Sequence, residues 1–85
     1  MPRIKIARTG GKVVFDPDPA AINFNDRVFW LNDDTEDHQI SLTGERLKPG
    51  DTSSEVQITA DQQYHCELHP DEKGSITSIS APAVA

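Results

Sequence analysis

The 85 residues, 35% hydrophobic with six Pro and five Gly, make one domain whose core must be thin, since a chain this short buries only about 60–65% of its unfolded surface. Fourteen Asp and Glu against eight Lys and Arg leave a net charge of -6, which argues against a nucleic-acid backbone or an anionic membrane as partner and favours a basic protein. A single Cys excludes an internal disulfide, and no run approaches the roughly 20 apolar residues of a membrane span.

Apolar residues recur at a period near two and almost nowhere at 3.6, so the expectation is an all-β chain. Arg3 to Arg8 alternates charged with apolar residues, unlike the apolar core of a signal peptide. The protein is therefore expected to be cytosolic, or to begin at Met1 in place of a removed leader. Gly10-Gly11 turns the chain into a second strand, Lys12 to Phe15, which Asp16-Pro17-Asp18-Pro19 stops. Ala21 to Phe24 is a short strand and Asn25-Asp26 a turn. Arg27 to Leu31 follows, with Val28 and Trp30 on one face and Trp30 as the central core residue.

The polar run Asn32 to Asp37 reads as a solvated loop, without the glycine and ligand spacing of a calcium site. A strand from His38 to Thr43 follows, with Ile40 and Leu42 on the same side as an inward-facing His38. Lys48 to Asp51 is a turn, Ser54 to Ile58 a strand, and Gln62 to Cys66 another whose alternation sends Tyr64 and Cys66 one way and His65 the other. Pro70 to Gly74 reads as a loop and Ser75 to Ser80 as a closing strand. Seven or eight short strands with turn signals throughout favour a two-sheet Greek-key sandwich, one domain over 1–80, with 81–85 a frayed tail.

The chemistry concentrates in Tyr64-His65-Cys66-Glu67-Leu68-His69-Pro70, where a thiol and an imidazole stand three positions apart as a strand ends. With a second imidazole from His38, the set becomes the His2Cys donor group that copper takes in blue-copper sites. Ligands from two distant segments clamp one point between rigid strands. No Ser/His/Asp arrangement, phosphate-cradling glycine loop or paired-carboxylate signal accompanies it, so no enzymatic activity is expected.

At these residues the chain resembles the cupredoxins, over most of its length. Asn25-Asp26-Arg27-Val28-Phe29-Trp30-Leu31-Asn32 is similar to the family's Gly-Asp-x-Val-x-Trp-x-Asn strand, and Lys48-Pro49-Gly50-Asp51-Thr52 to its Pro-Gly-Glu turn. Cys66 to His69 is similar to its Cys-x-x-His ligand loop, in the short form of the amicyanin type. The resemblance implies one copper ion per chain held by His38, Cys66 and His69. The axial Met of short-loop members is replaced here by Glu72, and the only Met is Met1.

If Glu72 binds, Cu(II) with one thiolate and one carboxylate is neutral while Cu(I) leaves a negative site. The implied consequences are a reduction potential below that of a Met-ligated site and a red or green colour. Zinc becomes a plausible substitute. The family's role implies single-electron transfer by a monomer, with a redox partner docking weakly and transiently around His69, in the periplasm or another extracytoplasmic space if a leader has been removed. The alternatives are copper or zinc storage, delivery or sensing, a cupredoxin-like binding module that has lost its metal, and a copper site open to a small molecule.

Overall fold

Strand alternation builds two sheets whose apolar faces meet. The computed structural model describes residues 2–79, and within them nine strands: β1 (Arg3–Thr9), β2 (Lys12–Asp16), β3 (Ala20–Asn23), β4 (Arg27–Asn32), β5 (His38–Gln39), β6 (Arg46–Leu47), β7 (Val56–Gln57), β8 (Gln62–Cys66) and β9 (His69–Ile79). No helix occurs among these residues, so none is long and apolar enough to cross a membrane. The expected tail at 81–85, and Ser80 at the end of the expected closing strand, lie outside the described residues.

One sheet has the order β2-β1-β4-β7 and the other β3-β9-β8, with β5 and β6 forming a separate ladder. β1 turns antiparallel into β2 through Gly10 and Gly11, whose φ of 57° and 79° suit a residue without Cβ and match the twist of a two-residue hairpin. β1 also runs parallel to β4, placing Ile4 beside Trp30 and Ile6 beside Asn32. In the second sheet β3 is parallel and β8 antiparallel to β9.

In β1, β3, β4, β8 and the later half of β9 buried residues alternate with more exposed ones, which is the origin of the core. Ile4, Ile6, Phe15, Val28 and Trp30 come from the first sheet, and Ala20, Ile22, Tyr64 and Ile76 from the second. Tyr64 joins the two, meeting the rings of Phe15 and Trp30 edge-on at centroid distances of 5.0 and 5.2 Å, the arrangement aromatic quadrupoles favour. Its cross-strand partner is Gly74.

Four elements differ from expectation, one of them the strand expected over Ser54 to Ile58, which is cut to Val56–Gln57. The strand expected over His38 to Thr43 is cut to His38–Gln39 because the carbonyl of Ile40 accepts from the amides of Thr43 and Gly44, turning the chain at a Gly44 with φ of 68°. An unexpected strand, β6 (Arg46–Leu47), returns from that turn to pair with His38 and Gln39. The loop expected over Pro70 to Gly74 is instead the start of β9. His65 pairs with Lys73 while Cys66 pairs with His69, so Pro70, Asp71 and Glu72 are extra residues bulged out of the ladder.

Candidate metal centre

Four side chains named from the sequence, His38, Cys66, His69 and Glu72, converge at one end of the sandwich, their donor atoms all within 4.8 Å of one another. Cys66 ends β8 and is flanked on both edges. β9 lies on one side, and on the other Ile40 bridges to Cys66 while the Ser41 and Glu67 amides donate to the His65 and Gln39 carbonyls. Gln39 Nε2 adds a 2.8 Å hydrogen bond to Glu67 Oε2. The thiol is thus fixed between two backbone ladders and fully buried. Glu67 and Leu68 form a tight connection that puts His69 directly across from Cys66, and the bulge that follows turns Glu72 inward.

Cys66 Sγ stands 3.5 Å from His38 Nδ1 and 3.9 Å from His69 Nδ1. Glu72 Oε1 is 3.4 Å from His38 Nδ1 and 3.6 Å from His69 Nδ1. His38 is fully buried, whereas the His69 side chain is 43% exposed and forms the rim. His65, the third histidine, is exposed on the opposite face of β8, as alternation requires.

His38 is oriented from behind. Its Nε2 lies 2.8 Å from Asp34 Oδ2, and Asp34 also accepts from Arg8 Nε at Oδ1 and from Arg8 Nη2 at Oδ2, both at 3.0 Å. Beside the Arg8 guanidinium, and with the His38 bond adding to it against an opposing effect of burial, the Asp34 carboxyl is held well below the usual carboxylate range. As an ionised acceptor it calls for a proton on His38 Nε2, which leaves Nδ1 as a lone pair facing the cluster. Asn32, fully buried, shapes the loop that carries Asp34. Its Nδ2 donates to the carbonyls of Glu36 and Leu47 at 2.8 and 2.9 Å, and its Oδ1 accepts from the Asp34 amide at 3.0 Å.

Asp34 and Arg8 were not anticipated, because the acidic run Asn32 to Asp37 reads as solvated. The parallel register supplies the reason they meet. Ile6 lies beside Asn32, and the Asp33 amide donates to the Ile6 carbonyl at 2.8 Å; two residues beyond Ile6 and Asn32 stand Arg8 and Asp34. Loop composition carries no such signal.

The donor set fits a soft or borderline metal ion. Glu72 Oε1 is buried and has no hydrogen-bond partner, although two ring nitrogens and a sulfur surround it. The Cys66 thiol can serve the His38 lone pair, but His38 Nδ1 has no hydrogen to offer Glu72. A buried carboxylate oxygen without a hydrogen-bond partner is costly, and a cation held by sulfur, two imidazoles and this oxygen would remove the cost.

No family profile and no curated protein matches this sequence, but solved structures do. A purple cupredoxin from Nitrosopumilus maritimus superposes with a TM-score of 0.77 at 23% identity, covering 93% of this chain and 100% of that one. Amicyanin from Paracoccus versutus gives 0.69 at 17% identity, over 91% and 81% of the two chains, and a reduced amicyanin variant gives 0.72 at 19%, over 91% and 82%. The chain is an all-β protein with the cupredoxin fold, and it carries a His-Cys-His-Glu donor cluster where β5, β8 and β9 come together.

Proposed function

We propose that this protein is a one-electron carrier that binds one copper ion with His38, Cys66, His69 and Glu72. The observation that carries the reading is the orphaned Glu72 oxygen facing two ring nitrogens and a thiol within 4.8 Å. Copper, when bound, supplies a centre that takes and gives single electrons between Cu(II) and Cu(I).

The residues of the chain do the rest. Cys66 supplies a thiolate from a backbone clamped on both edges, so its position changes little with oxidation state. His38 and His69 present their Nδ1 atoms, and Glu72 presents a hard anionic oxygen where short-loop members of the resembling family use a thioether. Thiolate and carboxylate together match the charge of Cu(II) and leave Cu(I) one negative charge over, which favours the oxidised form. His69, the exposed member, is the point where electrons enter and leave. Around it stand Leu68 and Pro70 as a small apolar rim and Glu36, Glu67 and Asp71 as exposed acids, suiting a basic redox protein that docks weakly. Zinc is a competent substitute for such a donor set. The carrier acts as a monomer, and an extracytoplasmic compartment suits its role.

The test is to add Cu(II) to the metal-free protein and record visible and paramagnetic resonance spectra, for the native chain and for Glu72→Met. An intense thiolate charge-transfer band that moves towards blue in the variant supports the reading. Identical spectra remove Glu72 from the site, and no band at all rejects copper. Reversible voltammetry then separates a carrier from a storage or delivery protein.

A further inference from the structure

Behind His38 the buried Asp34 carboxylate pairs with Arg8, whose side chain is 35% exposed, a pair that the donor set alone does not need. We propose that Asp34 and Arg8 are positioning residues of the metal centre, acting through His38 to set its affinity and, with opposite signs, its reduction potential. The inference rests on the metal reading given above.

Geometry gives each residue its part. The Asp34 side chain is 2% exposed, and its two oxygens receive three bonds of 2.8–3.0 Å from Arg8 and His38. A carboxylate so held fixes the plane and tautomer of the imidazole and makes Nδ1 a stronger donor, the arrangement by which histidine ligands are oriented in metal sites. Its negative charge reaches the centre through a single ring and favours Cu(II). Arg8, joined to the same carboxylate by a two-bond fork, offsets that charge and so favours Cu(I). Arg8 Nη2 also lies 3.5 Å from Glu36 Oε1, and Glu36 Oε2 lies 3.8 Å from His69 Nε2. Glu36 is 55% exposed, so solvent screens that arm and the Asp34 arm dominates.

The opposition of sign separates tuning from scaffolding. If the ion pair merely held the loop, breaking it from either end would disturb the site in the same direction. If it tunes, removing the anion and removing the cation act oppositely. In the redox step tested, Cu(II) and one electron from the electrode give Cu(I); the proton stays on His38 Nε2, and no bond within the chain forms or breaks.

The experiment is protein-film voltammetry of the copper-loaded full chain in the native form and in Asp34→Asn, Arg8→Gln and Arg8→Lys, with Cu(II) affinity measured by chelator competition. Asp34→Asn is expected to raise the potential and to weaken Cu(II) binding by about 10–100-fold. Arg8→Gln is expected to lower the potential, and Arg8→Lys, which keeps the charge, to return it most of the way to native. Shifts of the same sign in Asp34→Asn and Arg8→Gln, or no shift in either, would overturn the proposal. A native chain that gives no thiolate band with Cu(II) fails at the earlier step, and with it falls the metal reading. Independent of any variant's folding, nitrogen NMR of the native metal-free protein must find His38 protonated at Nε2 with that proton protected from exchange. A ring protonated at Nδ1 instead would overturn the positioning role by itself.

Discussion

Gly74→Ala offers a sharp test of the packing that holds the two sheets in register. Gly74 is buried on β9 opposite Tyr64 on β8. A methyl group at Gly74 would fall inside van der Waals contact of Tyr64 Cζ and Oη and stand 2.8 Å from Cε2, against an optimum of about 3.5–4.0 Å between carbons. The ring cannot swing away, because Phe15 and Trp30 meet it edge-on at 5.0 and 5.2 Å and it is 2% exposed.

Overpacking of this kind costs about 1–3 kcal/mol, which for a domain near this size lowers Tm by roughly 5–20 °C. The assay is thermal and urea unfolding of the metal-free protein, so that metal binding does not mask the loss. The double variant Tyr64→Leu/Gly74→Ala completes a cycle in which the added methyl should be nearly neutral once the ring is gone. A Gly74→Ala protein within about 0.5 kcal/mol of native stability, a change typical of an uncomplicated surface site, would refute the reasoning.

Three other outcomes follow from particular residues. Tyr64 is the only tyrosine, and burial raises its pKa above the ordinary 10.0; below pH 10 its contribution to stability is complete, and above it the unfolded chain loses the proton first. Phenolate absorbance should therefore stay flat through pH 10 and rise only as the alkaline protein unfolds, whereas an ordinary titration near 10 would show an accessible ring. The lowered pKa of Asp34 works in the opposite sense: its contribution is present above the unfolded value of 3.8 and drains away as pH falls below it. Acid unfolding of the metal-free protein should be less steep in Asp34→Asn, and curves of equal slope would contradict this. Asn32→Ala removes three hydrogen bonds from a buried side chain, at about 1 kcal/mol each; urea unfolding should show a loss of about 3 kcal/mol, and a loss well under 1 would mean that the loop does not depend on them.

Much of the fold was legible because alternation is a local signal. Ile4 and Ile6, Val28 and Trp30, and Tyr64 and Cys66 each share a face in the sequence and are each buried in the structure. Gly10-Gly11 announces its own turn. The shortened β5 was legible in principle, since Thr43-Gly44 is a turn signal, but the inward pair Ile40 and Leu42 outweighed it. The bulge at Pro70 to Glu72 was not legible: register slips depend on how the partner strand ends, and β8 stops at Cys66 because a tight connection begins there. Cys66, His38 and His69 could be named because sulfur and imidazole are rare in this chain, with one Cys and three His, and Glu72 because it stands where the resembling family has its axial Met. Asp34 and Arg8 could not, because the chain is rich in acids and only the parallel pairing of β1 with β4 selects one of them.

The most direct measurement is a crystal structure of the copper-loaded protein with anomalous data at the copper edge. The expected result is a single strong peak per chain, enclosed by Cys66 Sγ, His38 Nδ1, His69 Nδ1 and a Glu72 carboxylate oxygen. A peak elsewhere on the surface, or none at all with the thiol still packed against its neighbours, would contradict the assignment of this end of the sandwich as a metal centre.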